Sequence, residues 1–280
     1  MKYGIAMLTN NPTSSELKMI NNYGYPCLTQ DSLTLEVTRC PELILKAQKL
    51  RYRIFREELT EGNTALVSDV EDGVDVDEYD AYCDHVVVYK TLPDGKKDVI
   101  GTYRMLRRDK LGDMKHFYTE NEFDMSPLLN NYNGSLVEVG RSCVLREYRK
   151  GPVIKLLWSG ISMYLKHYNI DLLFGCASFF GTNEEEHALS LSYLHHFHML
   201  EDQSICPIGQ QDAFALIPKD QINERRAFCK LPPLVKGYIR LGAKIGNGVF
   251  VDYDMQTMDV CIIVDTKTIP VRQREYFTTD

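Results

Sequence analysis

The sequence predicts an α/β (α+β) protein in which helices flank a mixed central sheet. Two apolar runs of β-type residues, at 85–89 and 99–106, are separated by a proline–aspartate–glycine turn, which indicates an antiparallel hairpin. A third apolar strand at 135–145 is followed by an amphipathic helix at 153–167 and a buried strand at 171–178. Such a strand–helix–strand unit places its strands in parallel through a right-handed crossover. Antiparallel and parallel pairs together make the sheet mixed.

The remaining elements follow from periodicity and helix-start signals. Residues 41–58 are predicted to form a helix, because Leu43, Ala47, Leu50 and Ile54 fall at helical spacing. Further along the chain we expect a helix that starts near Thr182 with Glu185 completing a capping box, a strand at 212–217, a helix at 234–241 and a strand at 258–265.

Length and composition are those of an ordinary globular protein of 280 residues. We expect a polar N-terminal segment at 1–35, loosely ordered, and a single domain with a C-terminal extension at 36–280. The N-terminus has no apolar run typical of a signal peptide, and no window approaches the roughly 18 apolar residues of a membrane span. These features predict a cytoplasmic protein.

Charge and cysteine usage exclude several classes of function. The net charge of −7 argues against a nucleic-acid partner. The eight cysteines are scattered without a C-x-x-C pair, which favours reduced, buried thiols over a zinc knuckle. The charge is nevertheless uneven: residues 69–84 are acidic, and two basic groups lie at 146–155 and 225–244.

Three features suggest a site, and each has a structural alternative. Glu138 and Arg141 lie inside an apolar strand, where charges are costly unless they are paired or used, and they face opposite sides unless a bulge intervenes. Gly151 precedes a helix whose N-terminus suits a phosphate, although a plain helix start has the same pattern. The acidic stretch either attracts a cationic substrate or is a solvated loop. His195, His196 and His198 lack the H-E-x-x-H spacing and an obvious carboxylate ligand, so no metal site is expected.

Several motifs resemble, in order, those of the ornithine–acyl carrier protein N-acyltransferases, which make lyso-ornithine lipid in bacteria. They are RYRIFREE (51–58), DAYCDH (80–85), GTYRML (101–106), EVGRSCV (138–144), LWSGI (157–161), FGCASF (174–179), YLHH (193–196) and LPPLVKGY (231–238). The resemblance spans residues 40–265 and implies a GNAT-like acyl N-acyltransferase fold, near the acyl-homoserine-lactone synthases.

The resemblance implies roles for individual residues. Glu138 and Arg141 are expected to be catalytic, with Glu138 as general base. The residues expected to bind substrate are Arg51, Phe55, Asp80, Asp84 and Arg104. Arg104 and Arg141 would hold the acceptor carboxylate, whereas Asp80 and Asp84 would hold the distal ammonium of ornithine.

The donor implied by the resemblance is an acyl carrier protein thioester, and no metal or redox cofactor is implied. The residues expected to bind the carrier and its phosphopantetheine arm are Arg146, Arg149, Lys150 and Gly151. The turn they form lacks the full coenzyme A signature, which favours a carrier protein. The basic groups also suit peripheral contact with an anionic membrane at its cytoplasmic face.

Three alternatives stay open at the level of sequence. The acceptor could be glycine or lysine, the protein could be a homoserine-lactone synthase, or it could bind acyl carrier or lipid without catalysis. The first keeps the chemistry, and an acceptor with a neutral side chain would make Asp80 and Asp84 dispensable. The second requires a site for S-adenosylmethionine.

Overall fold

The computed structural model describes residues 18–20, 24–58, 73–201, 204–209 and 215–270. The strands are β1 Lys18–Ile20, β2 Pro26–Gln30, β3 Leu33–Thr38, β4 Asp84–Thr91, β5 Lys97–Arg107, β6 Leu136–Val144, β7 Leu172–Phe180, β8 Lys244–Ile245, β9 Phe250–Asp252 and β10 Thr257–Asp265. The α-helices are α1 Pro41–Tyr52, α2 Ser126–Asn131, α3 Val153–His167, α4 Glu184–His198, α5 Glu224–Lys230 and α6 Pro233–Arg240.

All ten strands join one mixed sheet, in the order β1-β2-β3-β4-β5-β6-β7-β10-β8, with β9 beside β10. The predicted hairpin is confirmed, because β4 and β5 pair antiparallel with Asp84 opposite Met105. The predicted strand–helix–strand unit is also confirmed, since β6 and β7 are parallel neighbours joined through α3. The mixed α/β fold expected from the sequence is therefore the observed one.

Helix α3 covers one face of the sheet and helix α1 covers the other. On one face α3 packs closely, and a Cβ at Gly160 would lie 2.7 Å from Val86 and 2.8 Å from Leu35. On the other face α1 packs against Val87 and Tyr89 of β4. Period-two alternation along β4 therefore assigns even-numbered residues to the α3 face and odd-numbered residues to the α1 face.

Strands β6 and β7 separate after a short parallel contact. They pair only from Leu136–Leu172 to Glu138–Phe174, whereas β7 pairs with β10 on its other side along its whole length. Gly175 lies against the carbonyl oxygen of Val139, where any side chain would collide with backbone. The sheet therefore opens on the C-terminal side of Glu138.

Several expected boundaries differ from the structure. The boundary expected after residue 35 falls within β3, and β2 already belongs to the sheet because Cys27 and Leu28 are buried against the core. Helix α4 begins one residue later than a Thr182 cap allows, since the side chain of Asn183 accepts the Glu185 N–H. The single domain with a C-terminal extension stays a prediction.

The strand expected at 212–217 lies mostly outside the described residues. Its described part, 215–217, is not a strand. The Ile217 N–H donates to the hydroxyl of Ser192 at 2.9 Å, and its carbonyl lies 2.9 Å from the ring of His196. Hydrogen bonds to α4 thus replace a sheet partner there.

In the part of the chain that the structure describes, no helix is both long and apolar enough to cross a bilayer.

Candidate active site

Three arginines from neighbouring elements meet on the α1 face of the sheet, two of them buried and Arg141 partly buried. Arg51 comes from the last turn of α1, Arg104 from β5 and Arg141 from β6. The side chain of Arg51 is only 1 % exposed and that of Arg104 is 5 % exposed. Burying a guanidinium is costly unless it is paired and hydrogen-bonded, so each arginine needs a carboxylate close by.

Arg51 is held by two aspartates of the segment that precedes β4. Its Nε donates to Asp75 at 2.8 Å, and its terminal nitrogens donate to the two carboxylate oxygens of Asp80 at 2.8 and 2.6 Å. The amide of Gln48 donates to Asp80 as well, at 3.2 Å. This forked geometry joins α1 firmly to the acidic segment.

Asp77 joins the other two arginines. Arg104 contacts Asp77 closely and reaches Asp80 at 3.2 Å, while Arg141 donates to the second oxygen of Asp77 at 3.2 Å. Asp77 and Asp80 also form a capping box at the short 3-10 helix Glu78–Ala81, which orients both carboxylates. Three arginines and three aspartates therefore form one continuous network.

The arginines keep Asp77 and Asp80 ionised despite their burial. Burial by itself would raise the pKa of Asp80, but the hydrogen bonds and charge of Arg51 hold it well below its ordinary value. Burial would also raise the pKa of Asp77. The charge and hydrogen bond of Arg104 more than offset that effect, so the pKa of Asp77 is lowered. The network is thus already charge-compensated without a ligand.

A β-bulge brings Arg141 to this face. Thr102 lies opposite Cys143 and Arg104 opposite Gly140, so Tyr103 opposes two residues of β6. Arg141 has a φ of 50°, in the left-handed region that few residues other than glycine adopt. The bulge thereby aims Arg141 towards Asp77 and over the ring of Tyr118, at 5.2 Å from the ring centre.

Glu138 lies on the same face, just before β6 and β7 separate. Its carboxylate accepts the N–H of Tyr118 at 3.1 Å, and both the N–H and the hydroxyl of Thr119 at 2.6 Å. Burial raises the pKa of Glu138, and the donors from Thr119 together with Arg104 only partly offset that effect. Glu138 therefore combines a raised pKa with a position at the opening of the sheet.

A second acidic group, which the sequence analysis missed, lies on this face. Glu122, Asp252 and Asp259 each offer a carboxylate oxygen, and the three oxygens lie within 4.8 Å of one another. Burial and the neighbouring Asp259 charge raise the pKa of Glu122 to about 8, and burial raises the pKa of Asp259 to about 6. The one available signal in the sequence was Asp259, an acid inside the apolar strand at 258–265.

The structure does not bring Asp84 to the arginine network. Asp84 is 1 % exposed and faces α3, where it accepts hydrogen bonds from Tyr164 at 2.6 Å, Tyr25 at 2.8 Å and Arg39 at 2.6 Å. Asp80 lies in the turn before β4 and reaches the α1 face instead. The expectation that Asp80 and Asp84 share one cation therefore conflicts with their placement on opposite faces.

Phe55 and the basic turn lie beside the site rather than in the network. Phe55 belongs to the π-helical segment Arg53–Glu58 and packs, half-buried, on the α1 core. In the turn after β6, Arg146 and Lys150 are exposed. Arg149 instead forms a forked pair with Glu58, at 2.6 and 2.9 Å, so its charge is already matched.

Comparison with known proteins identifies the family. A model of the acetyltransferase (GNAT) domain matches residues 50–159. The L-ornithine N(alpha)-acyltransferase of Brucella abortus is 38% identical over 88% of this chain and 89% of its own length. The enzyme of the same name from Rhizobium meliloti is 39% identical over 89% of this chain and 85% of its own length.

The chain belongs to the L-ornithine N(alpha)-acyltransferase family. It is thus an amide-forming acyltransferase with a GNAT-type fold. Among solved structures, the acyl-homoserine lactone synthase BjaI is 14% identical over 86% of this chain and 85% of its own, with a TM-score of 0.46. FeeM, an N-acyl amino acid synthase from uncultured soil microbes, is 10% identical over 84% of this chain and 91% of its own, with a TM-score of 0.45.

The match to the acetyltransferase domain encloses the whole arginine–aspartate network. Residues 50–159 contain Arg51, Arg104 and Arg141 with all three of their aspartates, and they contain Glu138. Asp252 and Asp259 lie outside that range. The second acidic group therefore combines one residue from within the matched domain with two from beyond it.

The raised pKa values of Glu122 and Asp259 predict how stability depends on pH. The ordinary pKa of a glutamate is 4.5, so between about pH 4.5 and 8 the folded protein holds a proton that the unfolded chain releases. The free energy of unfolding therefore loses this contribution as pH rises through the window. Replacing Glu122 by Gln removes this pH-dependent loss of stability. The Tm of the variant, relative to that of the unmodified protein, should therefore be about 5 °C higher at pH 8 than at pH 5.

Thermal unfolding at pH 5, 6.5 and 8 measures this difference. The matched control is Asp254→Asn, an exposed aspartate in the turn between β9 and β10, whose Tm should follow that of the unmodified protein. An equal decline of Tm for the Glu122→Gln and unmodified proteins would contradict the raised pKa.

Proposed function

We propose that this protein transfers a fatty acyl group from an acyl carrier protein thioester to the α-amine of L-ornithine, giving lyso-ornithine lipid. The observation that carries the proposal is the match to enzymes named L-ornithine N(alpha)-acyltransferase over 88% of the chain. The arrangement of charged groups where β6 and β7 separate supplies the parts that such a reaction needs.

The acceptor amine must lose a proton before it can attack. Glu138 is the proposed base, acting directly or through one water, because burial raises its pKa towards that of the amine. The ammonium gives up one proton to Glu138, and the neutral nitrogen then forms a bond to the thioester carbon. Backbone N–H groups at the opening of the sheet hold the oxyanion until the C–S bond breaks, and the leaving sulfur takes the second proton from the nitrogen as the thiol departs.

Arg141 is the proposed partner of the acceptor carboxylate. Its Nε is buried and makes no hydrogen bond, and Arg104 lies beside it on Asp77. An unsatisfied guanidinium donor is well suited to bind a carboxylate. A buried donor without an acceptor costs free energy, and a charge-assisted hydrogen bond to the carboxylate would remove that cost. Arg51 and Asp80 would then orient Arg104 and Arg141. The role of Phe55 as a substrate contact stays a prediction.

The acyl product gives the direct test of the proposed function. Expression in a bacterium that lacks ornithine lipids should yield a new acylated ornithine, detected by mass spectrometry of the lipid extract. An acylated glycine or lysine would keep the chemistry and overturn the acceptor. The absence of any new acyl amino acid from a host containing the folded protein would contradict the proposal as a whole.

The role of Glu138 is tested by Glu138→Gln. We expect kcat to fall by about 100-fold or more, since general-base catalysis contributes roughly that much. Glu138 also caps the 3-10 helix Tyr118–Asn121, so Glu120→Gln is the matched control, because Glu120 accepts the Phe117 N–H at the same helix start. A similar loss of kcat in both variants would indicate a structural role, and full turnover by Glu138→Gln would remove the base assignment.

The proposed docking of the carrier uses the exposed charges of the basic turn, together with the backbone at Gly151. Carrier proteins are acidic, so reversing Arg146 and Lys150 to Glu should raise the KM for acyl carrier by about three- to tenfold and leave kcat unchanged. Arg149 is excluded from this test because it holds Glu58. Membrane contact by the basic residues stays a prediction.

A matched double reversal separates docking from net charge. Lys110 and Lys166 are exposed, and Lys166 lies in the last turn of α3, far from the basic turn at its start. Lys110→Glu with Lys166→Glu changes the total charge equally and should not alter the donor KM. The same rise in both double variants would contradict a docking site at Arg146 and Lys150.

A further inference from the structure

We propose that Glu122, Asp252 and Asp259 form the subsite that binds the distal ammonium of the acceptor amino acid. The proposal rests on the proposed function, since it concerns which part of ornithine the protein recognises. It replaces Asp80 and Asp84, the residues expected from the sequence to hold this ammonium.

Among the described residues, the three carboxyl groups have no basic partner to compensate a negative charge. In the described part of the chain none of them forms an ion pair with a lysine or arginine within 4.0 Å. Glu122 is 3 % exposed and its Oε2 has no hydrogen-bond partner, while Asp259 is 4 % exposed and its Oδ1 has none. Buried carboxylate oxygens that lack donors and converge within 4.8 Å require a cation or protons.

The two aspartates expected from the sequence to hold the ammonium already have hydrogen-bond donors. Asp80 receives donors from Arg51, Arg104 and Gln48, and Asp84 receives donors from Arg39 and two tyrosines. Adding an ammonium there would require breaking charge-assisted hydrogen bonds. In the second acidic group an ammonium would instead supply the missing donors, and its three N–H bonds match three carboxylates.

Tyr118 connects this group to the proposed base. Its backbone N–H donates to Glu138 at 3.1 Å, its ring lies under Arg141, and its hydroxyl interacts with the carboxyl of Glu122. The base, the proposed carboxylate partner and the acidic group therefore surround one tyrosine on one face of the sheet. An amino acid with its α-amine at Glu138 and its carboxylate at Arg141 would extend its side chain along Tyr118 towards Glu122.

The fold places Asp259 on β10, beyond the point where β6 and β7 separate. Asp259 lies opposite Ser178 on β7, four residues beyond Phe174, which is level with Glu138. Alternation along β7 and β10 keeps all of these side chains on one face. Asp252 has a further role, since its Oδ1 accepts the N–H groups of Asp254 and Met255 at 2.8 and 2.9 Å. Glu122 and Asp259 are therefore the residues to change.

The test compares ornithine with norvaline, which has the same carbon chain without the distal amine. Release of free carrier thiol is followed for the unmodified protein, Glu122→Gln, Asp259→Asn and the exposed control Asp254→Asn. We expect the ratio of kcat/KM for ornithine to that for norvaline to fall by about tenfold or more in the first two variants, because each loses a charged partner of the ammonium. The control should keep the ratio.

Each other outcome overturns the proposal in a distinguishable way. An unchanged ratio, or equal loss for both amino acids with a raised donor KM, would show that the acidic group does not read the side chain. If the folded, unmodified protein released no thiol with either amino acid, the proposed function itself would be wrong. Calorimetric titration with MnCl₂ and ZnCl₂ covers the remaining occupant: saturable binding that Asp259→Asn abolishes would assign the group to a metal ion.

Discussion

The ion network between three arginines and three aspartates is the interaction on which the rest of the site depends. Without Asp75, Asp77 and Asp80, three guanidinium groups would lie in the core without compensation, at a cost of several kcal/mol each. The network joins α1, the segment before β4, β5 and β6 at one place. Elements that are far apart in sequence are held in one geometry by these charge-assisted hydrogen bonds.

Two departures from regular β-structure shape the face of the sheet that carries this network. The bulge at Arg141 aims its guanidinium to the face that carries Glu138, which regular alternation would forbid. The separation of β6 from β7 after Glu138 leaves an opening beside that carboxylate, and the close approach of Gly175 to Val139 sets where it begins. Glu138, Arg141 and the end of the β6–β7 pairing therefore lie close together on one face of the sheet.

The acidic residues of this face fall into two groups with opposite electrostatics. Arginines hold the pKa of Asp77 and Asp80 low, so that those carboxylates serve the structure. Burial, with no basic partner within ion-pair distance in the described parts of the chain, raises the pKa of Glu122 and Asp259. Carboxyl groups on one face thus differ in the direction of their pKa shift because their neighbours differ, and perturbed pKa values are a marker of candidate functional positions.

The sequence by itself determined the elements whose signals are local. Turn chemistry and alternation predicted the β4–β5 hairpin, helical spacing predicted α1 and α3, and ordered motifs predicted the acyltransferase family. Tertiary structure alone decided which charges meet. Asp80 and Asp84 are four residues apart yet face opposite sides of the sheet, Arg141 depends on a bulge, and Glu122 meets Asp259 across more than a hundred residues. Periodicity reports the environment of each residue along its own segment, whereas the partner of a buried charge is set by how distant segments pack.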